Sequence, residues 1–256
     1  MTKILRPSTY AEEYELRAKY AWDEHQLSGD GYASTDFRIR KTMRHVRFTP
    51  GDRVLDVSPG KGLLFERIHE KVAECCGHEI ARALVERLKK KFSAYANVSF
   101  TCGPPSALPY PDASFDKVLM TSAFCLQETL EEAERTLVEI RRVAKPTATI
   151  FISDIVIVDE LNLPRPRLSA AERLFRRFRL DGLQRFPASI ARFLVRQFRM
   201  RVGLEPIIVE PEGGLWTSDE EFVGMCKRNR LAAKGFPTEE ITGTSTSRLD
   251  YLITPM

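Results

Sequence analysis

Two carboxylates and a glycine-spaced loop are the parts of this 256-residue chain best suited to chemistry. Arg53-Val54-Leu55-Asp56-Val57 reads as a short apolar strand that runs into Ser58-Pro59-Gly60-Lys61-Gly62. Gly60 and Gly62 permit a tight turn and let a ligand approach the backbone closely. Asp56, just before that loop, repels a pyrophosphate and suits a ligand carrying an ammonium or sulfonium group. A dinucleotide fingerprint places a third glycine where this chain has Phe65, so a nicotinamide or nucleotide-sugar enzyme is the disfavoured alternative. Glu79 closes the next apolar run, 23 residues after Asp56, where an acid can grip both hydroxyls of a ribose.

These residues need a scaffold, and the middle of the chain supplies an alternation of strand and helix patterns. Strands are predicted at 53–57, 72–79, 98–102, 115–121 and 148–154, with helices at 62–70, 82–95 and 129–143 between them. Strands separated by helices of this length imply βαβ units, an α/β fold and a doubly wound parallel sheet covered on both faces. In such sheets ligands sit outside the carboxyl ends of the strands, where Asp56 and Glu79 fall. Residues 8–47 read as two flanking helices. The stretch 218–235 reads as a helix followed by two strand-like segments, 240–245 and 248–254.

Taken in order, VLDVSPGKG, the GHE after the second strand, LPYPDASFDKV, EIRRVAKPTATIFISD and KGFPTEEI resemble the class I S-adenosylmethionine-dependent methyltransferases. The likeness is to the small-molecule branch, akin to ubiquinone and sterol methyltransferases, and covers residues 50–155 and 218–256. It implies a Rossmann-like, mostly parallel seven-stranded sheet with a C-terminal antiparallel hairpin and a helical cap insert. It further implies N-terminal helices over the site at 1–47, a cofactor-binding core at 48–155, a cap at 156–217 and a completing helix and hairpin at 218–256. On this resemblance Asp56, Ser58, Gly60 and Gly62 hold the methionine end of S-adenosylmethionine. Glu79 takes the ribose, and Ile80 packs on the adenine. Cys102 and Gly103 line the adenine edge, while Thr121 and Phe124 border the methyl group. Ser122, Tyr20 and Trp22 face the acceptor. His25, after the first helix, is placed as a base; its plainer reading is an exposed histidine at a helix end. Three positions depart from the family pattern: Ser58 replaces a glycine, Pro104-Pro105 replaces Asp-Ala, and Thr147-Ala148 replaces Gly-Gly. The rival reading is a degenerate methyltransferase-fold protein with a binding or scaffolding role.

Charge points to what the acceptor side meets. The net +4 is concentrated between Glu160 and Arg201, where eleven arginines face three acids, leaving the rest of the chain acidic. Such a distribution argues against a nucleic-acid-coating surface. Helices predicted at 169–182 and 188–201 put Arg192, Arg196 and Arg199 opposite Ile190, Leu194 and Phe198. The first reading is a cap whose apolar face packs over the acceptor site and whose arginines are solvated. The others are a peripheral membrane contact and recognition of an anionic acceptor. A small-molecule or lipid-like acceptor fits all three. Five cysteines without CxxC spacing read as free thiols of a reducing compartment, and the four histidines offer no metal spacing. With no signal-like segment and no long apolar run, a cytoplasmic protein is expected.

Overall fold

The computed structural model describes residues 3–21, 32–157, 187–188, 190–209, 211, 215, 217–240 and 243–256. Trp22 and His25 lie outside the described residues, as do the predicted helix at 169–182 and the arginines from Arg165 to Arg185.

A seven-stranded sheet runs in the order β4-β3-β2-β5-β6-β9-β8. Its strands are β2 (Arg53–Val57), β3 (Glu74–Glu79), β4 (Val98–Cys102), β5 (Phe115–Thr121), β6 (Ala144–Val156), β8 (Leu231–Glu240) and β9 (Gly243–Pro255). The pairs among β2 to β6 are parallel; β9 runs antiparallel to both β6 and β8. The chain winds outward from β2 through β3 to β4, then returns to add β5 on the other side. The strand order therefore reverses at β2, and a crevice opens there beyond the carboxyl ends. Val54, Leu55 and Val57 are fully buried because helices cover both faces of the sheet.

Helices α3 (Leu63–Ile68) and α4 (Arg82–Lys91) bury Phe65, Leu84 and Leu88 on one face, and α5 (Leu130–Val143) buries Leu137 and Ile140 on the other. Helix α1 (Tyr10–Tyr20), α5 and α7 (Asp219–Arg228) each begin with a Ser/Thr-x-x-Glu capping motif. Thr9, Thr129 and Ser218 accept from the backbone N–H of Glu12, Glu132 and Glu221 at 3.2, 3.1 and 3.0 Å. Helix α1 lies against the start of α4: Glu15 accepts from the Ala83 N–H at 3.0 Å, and Arg87 donates to the Ala21 carbonyl at 2.9 Å. Helix α2 (Tyr32–His45) buries Ile39, Lys41 and Thr42.

Two expectations need correction. The helix predicted at 218–235 ends at Arg228, where Arg230 turns the chain with φ of 55°. Leu231–Glu240 then pairs along β9, so sheet completion overrides the helical preference of Ala232 and Ala233. Residues 190–201 are helical as expected (α6), but the apolar side is not packed inward. Leu194 and Phe198 are 60 % and 63 % exposed, while Arg196 and Arg199 reach back to the buried Glu205 at 2.9 and 3.7 Å. A buried carboxylate needs partners more than the apolar stripe needs cover. Beyond α6, a two-residue strand β7 (Ile207–Ile208) pairs in parallel with β1 (Ile4–Leu5) and ties this region to the start of α1.

Candidate functional site

A cavity of about 510 Å³ lies at the crevice, between the strand ends and helices α1 and α2. Its floor follows from the chain path at the end of β2. Ser58, Gly60 and Gly62 alternate with their neighbours in the left-handed region, at φ of 81°, 56° and 69°. The loop is pinned by the Ser58 N–H donating to the His78 carbonyl at 2.8 Å. Gly62 also has a packing reason to lack a side chain: a Cβ there would lie 2.6 Å from Phe92. Gly77 plays the matching part on β3, since a Cβ there would lie 2.6 Å from Phe100 and 3.0 Å from Pro59.

Asp56 and Glu79 face this cavity and are almost wholly buried. Burial pushes the Asp56 carboxyl up to about 7, and the nearby charge of Glu79 adds to the rise. Burial likewise raises Glu79 to about 7, opposed by backbone N–H donors from Ile80, Ala81 and Gly60. Glu79 accepts from Ile80 at 2.9 Å and from Gly60 at 3.3 Å. Oδ1 of Asp56 is buried with no hydrogen-bond partner. An orphaned carboxylate oxygen beside a second buried carboxylate is costly in isolation. It fits a ligand that brings a positive charge and several O–H or N–H donors.

The sequence-predicted residues divide cleanly by position. Asp56, Ser58, Gly60, Glu79, Ile80, Thr121 and Ser122 line the cavity. Gly62 shapes the loop from behind it. Phe124 does not reach the cavity: it is buried in the core, edge-on to Phe222 at 5.3 Å. Cys102 is exposed at the end of β4, its thiol 3.7 Å from the Ile80 carbonyl. Gly103 acts through its backbone, donating to the Glu79 carbonyl at 3.1 Å. Tyr20, at the end of α1, is not among the lining residues. His78, to which sequence reading gave no role, is buried between Thr101 and the Pro104 carbonyl at 2.8 and 3.1 Å, and so fixes the Pro104-Pro105 wall.

Further lining residues come from the two N-terminal helices. Tyr14 and the ion-paired Glu13 and Arg17 (2.6 Å) project from α1, and Arg38 and Thr42 from α2. Burial raises the Tyr14 phenol, which stays a protonated donor. The Thr9-x-x-Glu12 capping motif, which marks the start of α1, is a sequence signal that could have helped to place the α1 residues. Among the described residues there is no cluster of side chains able to hold a metal ion, and no helix long and apolar enough to cross a membrane.

Residues 55–152 match the family model described as a methyltransferase domain, consistent with the resemblance drawn from the motifs. The chain is 27 % identical over 150 residues to a demethylmenaquinone methyltransferase of Tropheryma whipplei (strain Twist), covering 59 % of each chain. It thus spans about three-fifths of that relative's length. Among solved structures, a SAM-dependent methyltransferase from Aquifex aeolicus superposes with a TM-score of 0.55 at 17 % identity, covering 92 % of this chain and 100 % of the other. The [4+2]-cyclase SpnF superposes equally well, at 0.55 and 17 %, over 92 % of this chain and 78 % of its own. The fold is thus Rossmann-like, of the class I methyltransferase type, with a mostly parallel sheet and C-terminal hairpin. The presence of a cyclase on it means that activity must be argued from the site.

Proposed function

We propose that this chain, with its methyltransferase domain at 55–152, transfers a methyl group from S-adenosylmethionine to a small, lipid-like acceptor of quinone type. The observation that carries this reading is the pair of buried carboxylates at the cavity floor, one with an unpartnered oxygen. Asp56 and the Ser58–Gly62 loop would hold the amino-acid end of the cofactor and Glu79 the ribose hydroxyls. Ile80, Pro104, Pro105 and Ser106 form the wall available to the adenine. Ser106 is the polar side chain there in the absence of the family's acid.

When bound, the sulfonium of this cofactor supplies an electrophilic methyl group. The protein's part is alignment and exclusion of water, which an in-line displacement needs more than a covalent catalyst. Helices α1 and α2 roof the cavity and supply both functions. Methyl transfer to quinone-type acceptors is what the names of curated relatives state, and the cavity's mix of Ile39, Leu126, Arg38 and Ser122 accommodates such a ring.

The α6 surface supports a peripheral contact with an anionic lipid surface. Leu194, Val195, Phe198 and Val202 form an exposed stripe flanked by Arg192 and Arg201, the pattern of a helix lying in a membrane interface. A lipid-like acceptor would be delivered from such a surface.

Titration calorimetry with S-adenosylmethionine and S-adenosylhomocysteine tests the central claim. Micromolar binding that Asp56→Ala abolishes is expected; no binding by the native protein at millimolar ligand would overturn it.

A further inference from the structure

The carboxyl ends of β5 and β6 carry a second polar constellation. Two non-glycine residues there, Ser122 and Asp154, adopt φ of 56° and 69°. Asp154 sits in the irregularity where β6 loses register with β9 between Ile152 and Ile155. Left-handed backbone at a residue with a side chain is strained, and such strain persists where surrounding contacts over-determine it. Here the contacts are explicit. The Ser122 hydroxyl donates to Asp154 Oδ2 at 2.8 Å, and the Asp154 N–H donates to Asp250 at 2.9 Å. Asp250 is in turn locked by Lys41 at 2.7 Å and Thr238 at 2.8 Å, with Lys41 and Asp250 both fully buried.

What this apparatus holds is a guanidinium at the cavity wall. Asp154 makes its tight ion pair with Arg248, at 2.8 Å, and a looser one with Arg38, at 3.7 Å. Arg38 lines the cavity, and its side chain is one-third exposed. A guanidinium has five N–H donors, so Arg38 can keep its protein contacts and still donate to a ligand. The neighbouring Lys41 on α2 is committed to Asp250, which fixes the rotation of α2 and so the direction from which Arg38 enters. The cavity is thus polarised: buried carboxylates at the β2 and β3 ends, a held guanidinium at the β5 and β6 ends.

We propose that Arg38 is a specificity-determining residue that binds an ionised enol or phenol oxygen of the acceptor, with Ser122 and Asp154 as the positioning residues that hold it there. Calling the occupant the acceptor rests on the methyltransferase reading above; the anion preference itself does not. A charge-assisted hydrogen bond of this kind discriminates an oxyanion from a neutral analogue by roughly tenfold or more.

The test compares 2-hydroxy-1,4-naphthoquinone, an enolate at neutral pH, with 1,4-naphthoquinone, which lacks the ionisable oxygen. Affinities are measured by fluorescence quenching, with and without saturating S-adenosylhomocysteine. The native protein is expected to favour the enolate at least tenfold. Arg38→Gln should bring that ratio close to one, and Arg38→Lys should restore part of it. Ser122→Gly should lower the ratio while relaxing the backbone at φ of 56°, so this variant folds and isolates positioning from packing. Because the readout is a ratio, a general loss of stability does not move it. A native ratio near one, or a ratio unchanged in Arg38→Gln, overturns the proposal. Absence of S-adenosylhomocysteine binding would instead overturn the methyltransferase reading, and the titrations without it would still decide the role of Arg38.

Discussion

Burial holds the Asp56 and Glu79 carboxyls well above the usual carboxylate range, and the direction of that shift has a thermodynamic sign. The folded-state pKa of Asp56 is raised from 3.8 to about 7, so folding without ligand favours its protonated form. That stability is fully present below about pH 4 and is lost as pH rises through 7. Asp56→Asn should therefore raise the melting temperature of the ligand-free protein at pH 8 while leaving pH 4 nearly unchanged. The rise should be about 2–4 °C for each kcal/mol relieved. The same variant should abolish cofactor binding, so stability and function part company at one atom. Differential scanning calorimetry at the two pH values checks this; a lower melting temperature at pH 8 would contradict it. Ser58 carries a different strain. Its φ of 81° is a glycine geometry, so Ser58→Gly should stabilise the protein by about 1 kcal/mol, read from urea unfolding, with the loop still able to bind. The substitution of glycine by serine was visible in the sequence; the backbone angle that makes it costly was not, because φ is set by the loop's closure onto His78.

Among the elements, the parallel strands and their helices were legible because burial on both faces leaves continuous apolar runs such as Val54-Leu55. Asp56 and Glu79 were legible with them, since strand ends announce where ligands sit. The boundaries that failed did so for tertiary reasons. Ala232 and Ala233 favour helix locally but are needed as partners of Thr254 and Ile253. Helix α6 was legible as amphipathic, yet its pattern says only that two faces differ, not which faces inward. The buried Glu205 decides that by drawing Arg196 and Arg199 toward it. The outward stripe then predicts behaviour at a surface. The native protein should co-float with vesicles of phosphatidylglycerol and phosphatidylcholine, and less so as salt is raised. Phe198→Ser with Leu194→Ser should reduce bound protein at least tenfold with cofactor affinity unchanged. Equal flotation of the double variant would place the contact elsewhere.

At the scale of the whole molecule, the cavity belongs to no single segment. Its floor comes from residues 56–80, its wall from 104–132 and its roof from 10–42, so motifs mark only part of its lining. Arg38 and Tyr14 are ordinary residues on ordinary helices; only docking of α1 and α2 onto the sheet turns them toward a ligand. The docking of α2 is held by Lys41 and Asp250, an ammonium and a carboxylate that are both sealed from water. Breaking such a pair by removing one partner costs about 3–5 kcal/mol. Asp250→Asn should therefore free α2 selectively. Its amides should exchange hydrogen at least tenfold faster, while those of β2, β3 and β5 keep their protection; uniform loss of protection across the sheet would refute this.

The Lys41–Asp250 pair also gives the protein an arrow in time. As the chain leaves the ribosome, α2 emerges early, but the carboxylate that neutralises its buried ammonium lies 209 residues later. Until β9 has been synthesised and has zipped onto β6, Lys41 has no counter-charge to be buried against and stays with water. The nascent chain can thus build its parallel strands while the roof remains open. The α2 side of the chamber closes last, so a chain interrupted before residue 250 lacks the counter-charge that seats this helix.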